Sequence, residues 1–247
     1  GIYRSADNGA SWTAVNKGLT NTNINALCAF GTDLFAGTSS GGVFLSTDSG
    51  ENWTVVNTGL TSNNIKSLAV LDTFIFAGTN LGIFRTSNNG DNWTEVNTGL
   101  TNNFVYDLCV LDTMLFAGTS GGVFRTSDNG DNWTIVNEGL TSLNINSLIA
   151  SGTNLFAGVW EGVFISTNSG DTWTEVNNAA FSGTSVTSFA ILDETLFAGT
   201  YDGVFRTMDN GDNWDEVNTG LSYLGITCFT IQGTNLFAGT SNAGVFL

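Results

Sequence analysis

The stretch Ile65–Asn103, IKSLAVLDTFIFAGTNLGIFRTSNNGDNWTEVNTGLTNN, holds four short apolar or alternating runs separated by Gly, Asn, Asp and Thr. Alternation bounded by turn residues is the mark of strands joined by hairpins. The runs are read as strand A (Ile65–Leu71), strand B (Phe74–Gly78), strand C (Gly82–Thr86) and strand D (Trp93–Asn97). Runs this short, broken by glycine, leave no room for an ordinary helix. The stretch recurs along the chain: Trp12, Trp53, Trp93, Trp133, Trp173 and Trp214 stand 41, 40, 40, 40 and 41 residues apart. That period is the length of a four-stranded propeller blade. The fold class is therefore all-β: a β-propeller of six four-stranded blades, seven if the chain is truncated, in a single domain over residues 1–247.

Between strands C and D every copy carries Ser/Thr-x-Asp/Asn-x-Gly-x-x-Trp, at Ser5–Trp12, Ser46–Trp53, Thr86–Trp93, Thr126–Trp133, Ser166–Trp173 and Thr207–Trp214. A tight turn needs this chemistry. The Asp or Asn side chain accepts turn N–H groups, glycine supplies positive φ, and the hydroxyl adds a local hydrogen bond. Asn88 and Asn168 stand at the Asp position and can accept the same bonds, so their hairpins are expected to form. A tryptophan buries about 150–250 Å², worth about 4–6 kcal/mol as an upper bound. Each is expected to tie its hairpin to its own blade.

Six such motifs at this spacing resemble the Asp-box, or bacterial neuraminidase, repeats of sialidases, sortilin-type receptors, xyloglucanases and photosystem II assembly factors. The resemblance covers essentially the whole chain and implies that the boxes are structural and lie at the propeller's periphery. Gly1-Ile2-Tyr3-Arg4 and Gly244-Val245-Phe246-Leu247 both read as strand-C starts, giving seven copies of that segment. The simplest closure places the N-terminal D strand (Trp12–Asn16) beside the C-terminal A, B and C strands.

Six Lys and Arg against 22 Asp and Glu give a net charge of −16, which repels phosphate backbones and anionic headgroups. Nucleic acid is excluded as a partner on this ground. Membrane insertion is excluded because no apolar run approaches the roughly 18–20 residues needed to span a bilayer. The chain opens at Gly1 without Met, which is read as processing or truncation of any leader. Cys28, Cys109 and Cys228 lie in apolar runs and are read as free, buried and structural. Proline is absent, and no linker or second domain is visible.

Histidine is also absent, which removes Ser-His-Asp catalysis, His-metal sites and the usual general base. The resemblance makes a sialidase the first enzyme to test. It would need arginines converging on a substrate carboxylate, but Arg4, Arg85, Arg125 and Arg206 share one slot on strand C and would fan outward around a ring. A two-carboxylate glycosidase needs its acids about 5–9.5 Å apart across a cleft. Here 18 of the 22 acids fall in or just after the boxes or in the A–B turns, as a structural role requires. Segments such as Asp128-Asn129-Gly130-Asp131 lack the ligand spacing and distal Glu of a calcium loop, so no metal and no cofactor are expected. Asn52, Asn92 and Asn132 start glycosylation sequons that the repeat generates by itself.

A function particular to one chain should lie where the repeats disagree. Between strands B and C the fourth and fifth copies read Val159-Trp160-Glu161-Gly162 and Thr200-Tyr201-Asp202-Gly203, where others read Thr-Ser-Gly-Gly or Thr-Asn-Leu-Gly. Phe104, Phe181 and Tyr223 stand in the D–A connections, with Tyr106 at the start of strand A. Trp160, Glu161, Tyr201, Asp202, Tyr106, Phe104 and Tyr223 are the candidate ligand-binding residues. Lys66 and Asp107, exceptional in their slots, are expected to pair. The leading reading is a non-catalytic, secreted or cell-surface binding or adhesion propeller that recognises a glycan or a protein on its B–C/D–A loop face. A purely structural propeller within a larger secreted protein, in contact with its other domains, is the alternative. A carboxylate glycoside hydrolase is the third reading.

Overall fold

The A–B hairpins set the pattern. Their two-residue loops place Asp72, Asp112 and Asp193 at φ 54–55°, and Gly31, Gly152 and Gly233 at φ 58–62° in the equivalent position. A left-handed first residue is what a tight hairpin requires, and Asp and Gly reach it at the least steric cost. The computed structural model describes residues 1–160, 162–177 and 180–247, and every regular element among them is a strand.

In chain order β1 (Tyr3–Arg4) and β2 (Thr13–Ala14) form a two-stranded sheet. Five four-stranded antiparallel sheets follow. They are β3–β6 (Ile24–Phe30, Asp33–Thr38, Val43–Ser46, Thr54–Val55), β7–β10 (Ile65–Leu71, Phe74–Thr79, Gly82–Thr86, Thr94–Glu95) and β11–β14 (Val105–Leu111, Met114–Thr119, Gly122–Thr126, Thr134–Ile135). After them come β15–β18 (Ser147–Ser151, Asn154–Val159, Gly162–Ser166, Thr174–Glu175) and β19–β22 (Val186–Leu192, Thr195–Thr200, Gly203–Thr207, Asp215–Glu216). The last sheet is β23–β25 (Ile226–Gln232, Asn235–Thr240, Val245–Phe246). Six A–B pairs thus make the six blades of a β-propeller. The chain forms two compact units, Gly1–Ala117 with Arg125–Thr134, and Gly118–Phe124 with Ile135–Leu247.

Strands B and C carry the core. Phe35, Phe76, Phe116 and Phe156 on B, and Phe44, Phe84, Phe124 and Phe164 on C, are at most 2% exposed. One glycine per strand B lets the next strand A approach. A Cβ added to Gly37 would lie 2.5 Å from Ile65, and one added to Gly158 would lie 2.6 Å from Val186.

Strand D is shorter than expected, two residues in each copy, because the asparagine that ends it turns back. The Oδ1 of Asn57, Asn97, Asn137, Asn177 and Asn218 accepts the N–H of Val43, Ile83, Val123, Val163 and Val204 at 2.6–2.8 Å. This satisfies the first apolar amide of each strand C, whose residue is paired with strand B but directs its backbone groups to the strand-D side.

The C–D turns form as their chemistry requires. The Thr126 hydroxyl donates to Asp128 Oδ1 at 2.7 Å and accepts the Gly130 N–H at 3.0 Å, while Asp128 Oδ1 also accepts the Asn132 N–H at 2.9 Å. Asn88 and Asn168 accept the equivalent N–H groups of Asn92 and Thr172 at 3.1 and 3.0 Å.

The tryptophans, however, tie each hairpin to the preceding blade rather than to its own. Trp53, Trp93, Trp133, Trp173 and Trp214 donate Nε1–H to Val15, Val56, Val96, Val136 and Val176 at 2.8–2.9 Å, each valine lying 37 or 38 residues back. The Trp53 N–H likewise donates to Lys17 O at 2.8 Å. The indole starts strand D, so its free edge points to the neighbouring D strand.

The expected closure through the N-terminal D strand is not what β2 does. It pairs with β1 (Tyr3↔Ala14, Arg4↔Thr13), while β25 is the edge of a three-stranded sheet. β1 and β25 read alike and suit the same partner. The short turn that joins β1 to β2 costs far less loop entropy than a distant pairing, and the bonds of Ser5 and Asp7 fix it. Two smaller expectations also change. Cys228 is exposed, and Cys28 and Cys109 are half-buried, although none of the three is in a disulfide. Lys66 does not pair with Asp107: its Nζ stands 5.8 Å over the Phe104 ring, and Asp107 Oδ1 accepts the Ser67 hydroxyl at 2.9 Å. Adjacent A strands place residue 107 opposite Ser67, not opposite Lys66.

Candidate functional site

The B–C turns of the second unit expose the two aromatic residues that break the repeat. Trp160 follows β16, is 55% exposed and forms an antiparallel bridge with Ser185 through its backbone. Ser185 is itself held by Asn146 Nδ2 at 2.7 Å. The Trp160 backbone is therefore anchored while its ring is free. Tyr201 follows β20 and is 57% exposed. Its neighbour Asp202 donates its N–H to Thr200 Oγ1 at 3.0 Å, which fixes the turn and leaves the exposed carboxylate without a partner among the described residues. Glu161 lies outside the described residues. Neither Trp160 nor Tyr201 stacks on another aromatic ring or carries a cation on its face among the described residues.

Tyr223 behaves differently. Its hydroxyl takes a hydrogen bond from Asn242 Nδ2 at 2.8 Å and lies 3.4 Å from Ser241 Oγ, both in the β24–β25 turn. These bonds, Ser241 first, lower the phenol below its ordinary range. The ring packs over Gly225, where a Cβ would meet Tyr223 at 2.8 Å. Tyr223 is half-buried and braces its own loop.

In the first unit Phe104 and Tyr106 come together, with ring centroids 4.9 Å apart and planes tilted by 48°. Phe104 is 37% exposed and carries Lys66 on its face, which gives a small aromatic surface with one cation. Phe181, singled out with them in the sequence, is fully buried against Phe205 and Trp214 and belongs to the core.

One feature escaped the sequence reading. An apolar cleft of about 340 Å³ in the first unit is lined by Ile2, Val15, Leu27, Cys28, Leu34 and Trp53 among others. Burial pushes the Cys28 thiol up to about 12, so it is an unreactive lining group. One repeat on, the corresponding space is packed by Phe35 with Cys28 and Phe30 against Ile75 and Trp93.

Arg4 and Arg85 do not converge. Arg4 pairs with Glu51 at 2.6 Å and reaches Ser49 O, and Arg85 pairs with Asp131 at 2.9 Å and reaches Asn129 O. Each clamps the C–D turn of the next copy. Among the described residues no three His, Cys, Asp or Glu side chains group as a metal site would need.

No family model matches the chain, and no curated protein matches it. Solved structures do match. The extracellular domain of BT4673 from B. thetaiotaomicron aligns over 96% of this chain with a TM-score of 0.83 and 19% identity. The GH74 xyloglucanase from Xanthomonas campestris aligns over 98%, with a TM-score of 0.77 and 15% identity. YCF48 bound to D1 peptide aligns over 90%, with a TM-score of 0.71 and 14% identity. These likenesses show the propeller fold. The chain spans 34% of the BT4673 chain, 48% of the xyloglucanase and 77% of YCF48. Similar propellers thus occur in extracellular domains, in an enzyme and in a peptide-bound protein.

Proposed function

We propose that the chain is a non-catalytic binding propeller of the Asp-box type, part of a larger extracellular protein, and that it recognises a glycan or a protein segment through its B–C turns. The observation that carries this reading is the pair Trp160 and Tyr201. Two large aromatic rings stand 55% and 57% exposed at equivalent turns of consecutive blades, where the other copies place no aromatic residue. Each has a fixed backbone, so little entropy is lost when a ligand seats on its ring. Asp202 adds an acceptor for a hydroxyl or an amide. Phe104 and Tyr106, with Lys66, offer a second, smaller contact of the same kind, and Tyr223 supports its loop from beneath. The extracellular setting of BT4673 and the peptide on YCF48 are consistent with binding as the use of such a fold.

The test is a glycan array together with a binding screen against extracellular protein fragments. Trp160→Ala and Tyr201→Ala should each weaken the ligand found by more than about 2 kcal/mol, as central aromatic anchors do. Thermal stability should stay within about 0.5 kcal/mol of wild type, as for exposed positions. A Trp160→Ala protein that binds normally but melts early would remove the site. Turnover of a chromogenic glycoside would replace the binding reading with the hydrolase one.

A further inference from the structure

The cations of the chain are unevenly spread. The unit Gly118–Phe124 with Ile135–Leu247 holds eleven of the 22 Asp and Glu but one of the six Lys and Arg, which is Arg206. Arg206 lies toward the C–D end of β21, opposite Asp215 across the ladder, with its Nε buried. The Trp160 and Tyr201 turns lie at the other, B–C end of their blades. Among the described residues of this unit no Lys or Arg stands beside either ring.

Carboxylates do stand there. Asn218 Nδ2 donates to Glu216 at 2.6 Å and reaches the Asp202 carbonyl at 3.4 Å, so Glu216 lies against the Tyr201-Asp202 turn. One copy earlier, Asn177 Nδ2 donates to Glu175 at 2.6 Å while its Oδ1 takes the Val163 N–H, and a Cβ on Gly162 would lie 2.5 Å from that Nδ2. Glu175 therefore stands by the Trp160 turn as Glu216 does by Tyr201, and both are exposed. Glu161 follows Trp160 in the sequence. The glycine-rich turns of the first and third copies lack such an acid. Val55 and Ile135 hold that D-strand slot, and Asn57 and Asn137 donate to Gly41 O and Gly121 O instead. Glu95 repeats the acid beside Leu81, without an aromatic ring.

Two other aromatic faces in this chain are each covered by a cation. Lys66 Nζ stands 5.8 Å over Phe104, and the Arg85 guanidinium stands 4.8 Å over Phe74. A neutral ligand closing over Trp160 and Tyr201 would strip water from the neighbouring carboxylates without pairing their charge, which is costly. A cation pairs that charge and binds the negative face of the ring at once.

We propose that the Trp160–Tyr201 face takes a basic, extended protein segment, with one Lys or Arg side chain over each ring, between the flanking carboxylates. This rests on the reading of these turns as a binding site and names its partner. The two blades are neighbours, and packed sheets lie about 10 Å apart. An extended chain advances about 3.3 Å per residue, so cations three or four residues apart match the two turns. The excess of acids in this unit attracts such a segment from a distance and speeds its association.

The test is binding of fluorescent ten-residue Gly-Ser peptides to the 247-residue chain at about 0.15 M salt. One peptide carries two arginines three residues apart, one carries citrulline in their place, and one carries glutamate. A neutral glycan array is run beside them. The arginine peptide should bind and the other two should not. Trp160→Ala and Tyr201→Ala should each weaken it about 30-fold or more. Trp160→Phe should stay within about fivefold, while Trp160→Leu, apolar but without a π face, should lose most of the binding. Asp202→Asn with Glu216→Gln should weaken it far more than Asp193→Asn with Glu194→Gln, which removes the same charge from an A–B turn. Leu81→Ala should change nothing. An arginine peptide that binds equally well without Trp160 and Tyr201, or that responds alike to the two charge-removing pairs, is held by diffuse attraction, and the proposal falls. If a neutral glycan binds instead and is lost in Trp160→Ala, the binding site stands and its basic partner is wrong. If neither peptide nor glycan binds, both fall.

Discussion

Asn97 shows how much a single side chain contributes in this repeat. Its Oδ1 holds the Ile83 N–H at 2.7 Å, and its Nδ2 donates to Glu95 at 2.8 Å. Asn97→Ala leaves a partly buried amide unsatisfied and should cost about 1–3 kcal/mol in urea unfolding. A loss below the error of the measurement would mean that water replaces the side chain without penalty. Asp128 is a second case, and a pH-dependent one. The Asn132 side chain first, then the Thr126 hydroxyl and the Asn132 amide, hold its carboxyl down at about 2, against an ordinary 3.8. Asp48, Asp209 and Asp7 are lowered in the same way by Asn52, Asn213 and Ser11. A folded-state value below the unfolded one means that the turn stabilises fully above the unfolded value and loses that contribution as pH falls through the folded one. The thermal midpoint of the wild type should therefore drop between pH 3.8 and about 2 more steeply than that of Asp128→Asn, which keeps an acceptor but cannot titrate. Parallel curves for the two proteins would show that Asp128 carries no linkage.

At the level of the element, the blade junction is the part most exposed to substitution. Gly59 has φ 90°, and a Cβ there would lie 2.1 Å from the Trp93 carbonyl oxygen. Gly59→Ala should cost at least about 2 kcal/mol, combining backbone strain with a backbone clash. Thr58→Ala beside it, with the carbonyl that accepts the Trp93 N–H left in place, should stay within about 0.5 kcal/mol. Trp133→Phe keeps most of the apolar burial and removes the 2.8 Å bond to Val96 O, so it should cost less than Trp133→Ala by several kcal/mol. The strands, their order and the turns between them were legible in the sequence, because alternation, glycine and the box residues report directly on local backbone. The direction of the tryptophan tie was not. Trp53 and Val15 are 38 residues apart, and periodicity says that they recur without saying which copy meets which. The fate of Lys66 was hidden for the same reason: slot position on strand A does not reveal that Ser67 and not Lys66 faces Asp107. Among the candidate site residues, Trp160 and Tyr201 were visible as departures from the repeat. That Phe181 would be fully buried and Tyr223 tied to its own loop depended on neighbours that a repeat alignment does not supply.

For the molecule as a whole, charge is the dominant long-range term. The net charge is −16, with only six Lys and Arg to offset 22 acids. Two of the cations, Arg4 and Arg85, are engaged in ion pairs whose acids are 58% and 63% exposed. Exposed pairs of this kind contribute about 0–1 kcal/mol each and weaken as salt is added. The large excess of acids acts in the opposite sense, because their mutual repulsion destabilises the folded chain and is relieved by screening. With 22 acids against six Lys and Arg, repulsion should win. Raising the salt from about 0.01 M to about 1 M shortens the screening length from about 30 Å to about 3 Å. Thermal unfolding followed over that range at neutral pH should therefore show a midpoint that rises with sodium chloride. A midpoint that falls would mean that the Arg4 and Arg85 clamps on the C–D turns outweigh the net charge. In that event Arg85→Ala should remove most of the salt dependence.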